Sequence, residues 1–342
     1  MLLPMILRPN SLSRHPGTLL DAAAVTDVPV PTWLRRAIPD AQSLAGKDVE
    51  DVAVAAGATI GALDAVVRRD ERWGGAWRQR LALSAAAVTA KRGGRVEDEA
   101  AMRDAVLLTR PGDNVGPAGR MLSAWSRLAA RPAEDLLKAK SLAAVLEEFS
   151  HAPDDEAVSD LADEVLRLDA SAGMAERLTR AFMVAERHGF GRTLGGWLAD
   201  AALAQQLGWA HAVPLLGTEV ALGINPRLPR RASTVVAATV AEAGSDRAKN
   251  LLAALARAGL RAIDLSAELG RRAERLIAVA PKLRAKAADA VVDRLLSDDA
   301  IVASEQIAGM SDRGLRRLFD RLVELGAVRE LSGRSTFRIY GL

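Results

Sequence analysis

Apolar positions recur along most of this chain with the spacing of an α-helix. From Asp48 to Arg69 they fall at Val52, Ala55, Ala56, Ile60, Leu63, Val66 and Val67, a stripe that lines one helical face. Trp73-Gly74-Gly75 reads as a break. A second stripe runs from Trp77 to Ala90 through Leu81, Leu83, Ala86 and Val88, and a third occupies Val96 to Leu108. Helices joined by short glycine loops become antiparallel neighbours, as in a bundle. Further helices are expected around Leu122, Trp125 and Leu128, then over 136–149, 156–168, 174–188 and 194–207. Ala212 to Leu222 is apolar but interrupted by Pro214 and Gly217, which suits a buried crossing segment. Pro226 to Arg231 is a linker candidate. Helical stretches follow over 233–242, 247–258, 262–279 and 283–296.

The pattern changes at the end of the chain. Ser311 is a good N-cap, with Asp312 in the first turn, where the helix dipole favours an anion. Leu315, Leu318, Phe319, Leu322 and Val323 form one apolar stripe. Gly326 can take the positive φ that commonly ends a helix. Strands over 328–331 and 336–340 then flank Ser332-Gly333-Arg334-Ser335 as a hairpin, with Phe337 and Ile339 on one face and Thr336, Arg338 and Tyr340 on the other. With a short helix over 303–308, this is the order of a winged helix-turn-helix, and the helix from Ser311 takes the recognition position. Ser304 and Glu305 depart from the small and apolar residues that a packed first helix wants.

The expected fold is therefore all-α: an irregular arm over 1–45, a multi-helical bundle-like body over 46–280, and a winged helix-turn-helix with a small hairpin over 281–342. In the arm, five prolines precede Trp33, which is expected to anchor one helical turn on the body. Composition supports this reading. Hydrophobic residues make up 49% of the 342 and aromatic residues 4%, so the core must be aliphatic and alanine-rich.

Charge singles out the C-terminal segment. From Ser311 onward seven arginines face four acids, an excess equal to the whole chain's formal net charge of +3. Candidate DNA contacts are Ser311, Asp312, Arg313, Arg316, Arg317, Arg321, Arg334 and Arg338. Arginine suits this role because its planar fork donates paired hydrogen bonds to phosphate or to guanine. The expected partner is double-stranded DNA. The alternative is a non-enzymatic interaction protein whose winged module docks another protein. Exposed Arg313, Arg316 and Arg317 sharing a face with Arg334 favour DNA, whereas acids of the body covering them favour docking.

Other chemistry is weakly signalled. The chain has no cysteine, which excludes thiolate metal sites, disulfides and a cysteine nucleophile. Glu97, Asp98, Glu99 and Asp104 lie near Arg78, Arg80 and Arg103, and read as ion-pair packing between two helices, with Glu99 and Arg103 at i, i+4. His15, His151, His188 and His211 have no metal-ligand spacing. Gly112, Gly116 and Gly119 lack the P-loop lysine, and Pro117 fits the first position of a helix. No cofactor and no enzymatic activity are expected. Neither a signal peptide nor an uninterrupted apolar span is present, so a cytoplasmic protein without membrane contact is expected. A homodimer through the helical body would suit paired DNA half-sites.

Several separated stretches resemble one bacterial family, the domain of unknown function 1403. They are Ala76-Trp77-Arg78-Gln79-Arg80-Leu81-Ala82-Leu83, Glu97 to Ala100 with Arg103-Asp104-Ala105, the Arg110 to Arg120 turn, the run from Arg272 to Leu296, and the end from Ser311 to Leu342. The resemblance spans most of the chain and implies no activity. The end is also similar to the winged-helix ends of other bacterial regulators, and that likeness implies transcription regulation.

Overall fold

The computed structural model describes residues 30–38, 44, 47–110, 112–167, 173–219, 238–283, 287–334 and 336–342, with side chains of the long helix from residue 246 onward. The linker candidate over 226–231, His15 and most of the arm lie outside the described residues.

The molecule is mostly helical. In chain order the helices are α1 (Thr32–Ala37), α2 (Val49–Val67), α3 (Gly74–Arg92), α4 (Glu99–Leu107), α5 (Gly116–Ala130), α6 (Ala133–Leu136), α7 (Ala139–Glu148), α8 (Asp155–Leu166), α9 (Met174–Arg187), α10 (Gly191–Gln206), α11 (Ala238–Val279), α12 (Ala288–Ser297) and α13 (Asp312–Glu324). Three short strands, β1 (Ile301–Val302), β2 (Arg329–Glu330) and β3 (Ile339–Gly341), form one antiparallel sheet in the order β1-β3-β2. Among the described residues no helix is long and apolar enough to cross a membrane.

The helical stripes bury as their spacing requires. Val52, Ala55, Ala56, Ile60 and Leu63 of α2 are buried, and α2 lies along α11. The pairs α9–α10 and α3–α5 build the rest of the body. Tryptophans serve as core anchors with a polar tip that needs a partner. Trp77 Nε1 donates to the Ala262 carbonyl at 2.9 Å, and Trp197 Nε1 to the Ala124 carbonyl at 3.0 Å. Trp73 and Trp125 are buried with no partner for Nε1 among the described residues, and Trp33 is not buried at all. It is 51% exposed, and the arm turn is anchored by Leu34, which is fully buried.

Two glycines are close-approach sites. The expected break between the first two helices falls over 68–73, with Gly74 and Gly75 already in the first turn of α3. A Cβ on Gly75 would lie 2.5 Å from the Ser297 carbonyl oxygen, so glycine lets the end of α12 sit against α3. Likewise the stretches expected over 247–258 and 262–279 are one continuous helix. Gly259 stays helical because its missing side chain makes room for Thr59 of α2, whose methyl group would stand 2.5 Å from a Cβ there.

Buried charge follows the same economy. Glu219, at the end of the buried segment expected over 212–222, accepts from Arg257 of α11 at 2.9 Å and also from Arg261. Asp200 of α10 is 1% exposed. It accepts from the backbone N–H groups of Leu215 at 2.8 Å and Leu216 at 3.1 Å, so it caps the short 3-10 turn at Leu216–Thr218. Burial pushes its pKa up to about 7, against the pull of those backbone donors.

Candidate nucleic-acid interface

The helix from Ser311 forms as its sequence dictates. The Ser311 side chain accepts from Gly314 N–H at 3.2 Å, Asp312 opens the first turn, and Gly326 at φ +64° follows the last. Leu315, Leu318, Phe319 and Leu322 are buried beneath α13, while Val323 is 41% exposed at the edge of the stripe.

The sheet differs from the expected hairpin in register. Ile301 pairs with Tyr340 and Val302 with Ile339, while Arg329 pairs with Gly341 and Glu330 with Tyr340. The second hairpin strand thus begins at Ile339, not Thr336. Phe337 explains the shift, because it sits at φ +55°, in the left-handed region. One residue there breaks the two-residue alternation of a strand and costs about 1–2 kcal/mol for an L-residue. As a result Ile339 and Tyr340 are both buried, and Phe337 is 65% exposed. Tyr340 stacks on Phe319 of α13, with ring centroids 4.3 Å apart and planes 6° from parallel.

The helix expected over 303–308 is absent. Glu305 N–H bonds to the Val302 carbonyl and Met310 N–H to the Ile307 carbonyl, so turns fill the interval between β1 and α13. The misfit of Ser304 and Glu305 to a packed helix has this outcome.

Strong charge pairing ties this segment to the body. Asp299, between α12 and β1, accepts from Arg103 of α4 at 2.6 Å and from Arg80 of α3. Burial pushes the Asp299 carboxyl up, but the two guanidinium groups outweigh it and hold the pKa below its ordinary value. Arg80 and Arg272 also donate to the Leu342 carbonyl, at 3.5 and 3.3 Å. The expected Glu99–Arg103 pair is replaced by this longer-range one, because Asp299 reaches Arg103 in a more buried setting. Two of the remaining acids have local duties. Asp98 caps α4 through Ala101 N–H at 2.8 Å, and Glu97 pairs with Arg95.

The candidate DNA contacts divide into two sets. Arg313, Arg316 and Arg317 are exposed on α13, and among the described residues no carboxylate pairs with them. Asp312 is exposed beside them. Arg321 pairs with Glu324 at 2.6 Å, and Arg338 stands 3.8 Å from both Asp320 and Glu330. Arg334 is different, since Asp104 of α4 holds it at 2.5 Å. One arginine at the hairpin tip is therefore paired with an acid of the body while still 53% exposed, whereas among the described residues three on the helix have no such pair. Between α13, the turn after β1 and the approach to β3 lies a cleft of about 430 Å³, which Arg316, Asp320, Phe337, Arg338 and Tyr340 help to line. Sequence reading missed this cleft, because no local pattern announces a residue such as Phe337 leaving the strand.

Elsewhere, His151 and His188 meet around Phe190, with centroid distances of 5.1 and 6.2 Å, and His188 Nε2 lies 2.9 Å from Glu164. No group of three or more potential metal-ligating side chains exists among the described residues. The turn at Gly112 is an interhelical connection, whereas Gly116 and Gly119 belong to α5, with Pro117 in its first turn.

Residues 21–342 match the family described as protein of unknown function (DUF1403), and the chain belongs to it. No curated protein and no solved structure shows a match to the chain.

Proposed function

We propose that the chain is a regulatory protein that binds double-stranded DNA, with α13 in the major groove and the β2–β3 hairpin as its wing. The observation that carries this reading is the trio Arg313, Arg316 and Arg317, exposed and without a carboxylate partner among the described residues, on a helix fixed from behind by Leu315, Leu318 and Phe319. Supporting it, the element order α12, β1, α13, β2, β3 and the sheet order β1-β3-β2 suit a winged helix in which turns replace the helix before α13. Two copies joined through the helical body would present two such helices to paired half-sites.

The testing experiment is a selection of bound fragments from a pool of random-sequence duplex DNA, followed by binding at two salt concentrations. Each phosphate contact steepens the fall of log K with log salt by about 0.9. Selection of no fragment, or binding without salt dependence, contradicts the reading. The second reading, docking of a protein partner, draws on the Arg334–Asp104 pair, which already occupies the hairpin tip. It takes over if the paired duplexes are refused.

A further inference from the structure

The cleft beside α13 has a chemistry narrower than that of a groove-reading helix. Its floor is fixed: Tyr340 is 3% exposed and stacks flat on Phe319. Its rim carries one aromatic face still open to solvent, that of Phe337, held outward by a left-handed backbone. Two cations share its walls. Arg316 has no carboxylate partner among the described residues, and Arg338 is set beside Tyr340 with Asp320 and Glu330 no nearer than 3.8 Å. Asp320 faces the same space from α13 and can accept hydrogen bonds there.

We propose that this cleft is a nucleotide subsite that takes one unpaired base with its phosphate. The base stacks on Phe337, whose exposed ring offers a flat π-face, and the phosphate meets the guanidinium forks of Arg316 and Arg338. Asp320 accepts from an exocyclic amine on the base edge. A volume of about 430 Å³ is in the usual range for small-ligand clefts. A fully paired duplex keeps its bases stacked inside and cannot fill it, whereas a bulged or frayed nucleotide can. Arg338 has Asp320 and Glu330 at 3.8 Å, but an aliphatic ligand would leave Arg316 without a counter-charge, and a bare phosphate would leave the Phe337 ring in water. A nucleotide satisfies both. It comes either from a strand or from a free nucleoside monophosphate. As a strand contact the inference rests on the DNA reading above.

The test uses the full chain with three probes: a paired duplex, the same duplex with one unpaired nucleotide, and free dAMP. Tighter binding of the bulged duplex, by about tenfold, assigns the subsite to a strand. Binding of dAMP without that preference assigns it to a free nucleotide. In either case Phe337→Ala abolishes the effect, while Phe337→Tyr keeps it. If the paired duplex binds with the expected salt dependence but the bulge adds nothing and dAMP is ignored, the subsite is overturned and the DNA reading stands. If the paired duplex is refused, that reading falls. The subsite is then upheld by dAMP binding that Phe337→Ala removes, and overturned without it.

Discussion

The seam between α3, α4 and the C-terminal segment and the outer face of α13 are both rich in arginine, and the structure treats them in opposite ways. At the seam Arg80 and Arg103 are enclosed around a single carboxylate, Asp299, and lie at 15% and 10% side-chain exposure. On α13, Arg313, Arg316 and Arg317 stand in solvent, and among the described residues no carboxylate forms an ion pair with them. A buried cation without an anion is too costly to keep, so the seam must be matched. An exposed one costs little, so the unmatched set on α13 is a surface that folding does not need. The two sets should therefore respond to substitution in different observables.

The largest effect is expected at the seam. Asp299→Ala strands two buried guanidinium groups and should lower stability by about 3–5 kcal/mol, read by thermal or denaturant unfolding. A change under about 1 kcal/mol would mean that the seam charges are hydrated after all, and the contrast with α13 would fail.

Asp200 sharpens the buried side of the comparison, since it is an enclosed acid whose partners are backbone donors instead of a cation. Its folded pKa of about 7 lies above its ordinary value of 3.8. Between those values the native state keeps a proton that the unfolded chain has released. The stabilisation is complete below the lower value and is lost as pH rises through about 7, at up to about 1.4 kcal/mol per pH unit. Asp200→Asn should remove this component, so the difference in unfolding free energy between parent and variant should vary with pH across that window. Parallel profiles would show that the carboxyl is ionised when buried.

On the exposed side, Arg316→Ala with Arg317→Ala should weaken binding to a selected duplex about tenfold or more, equal to about 1.4 kcal/mol. Because both residues are on the surface, the melting behaviour should shift by less than about 0.5 kcal/mol. Parent-like DNA binding by the double variant removes α13 as the reading helix. The smallest effect belongs to the one contact that links the two regions. Asp104→Asn releases Arg334, which is 53% exposed, so the stability lost should stay below about 1 kcal/mol. The freed wing-tip cation should then raise duplex affinity by no more than about fivefold, measured by titration at low salt. Unchanged or weaker binding would show that the wing tip does not approach DNA.

What the sequence disclosed and what it hid follow from how local each signal is. The body helices were legible because an apolar stripe repeats within a few residues, and α13 because Ser311, the Leu315 stripe and Gly326 lie within one short stretch. The seam was not. Asp299 sits 219 residues from Arg80 and 196 from Arg103, and as part of Ser297-Asp298-Asp299 it reads as an ordinary polar loop. The close approaches at Gly75 and Gly259 are not legible either, because the reason for each glycine is a neighbour from a distant part of the chain. Tyr340 was assigned to a polar face by strict alternation, and the single left-handed residue at Phe337 invalidates that count. The arginines of the candidate interface were identifiable by type. Which of them would be engaged, as Arg334 is by Asp104, depends on packing that spacing does not encode.

The unbroken length of α11 has one more consequence. At 42 residues, with a rise of about 1.5 Å each, it runs about 63 Å. Along this rod lie α2, α9 and the 3-10 turn at Leu216, and it also touches α3 and α12. Its backbone hydrogen bonds form a single ladder shared by all these neighbours, so no one of them can melt its own stretch without breaking the helix that the others hold. Amide protons from Leu251 to Leu276 should accordingly exchange with deuterium as one slow class, opening together in a cooperative event rather than by fraying in patches.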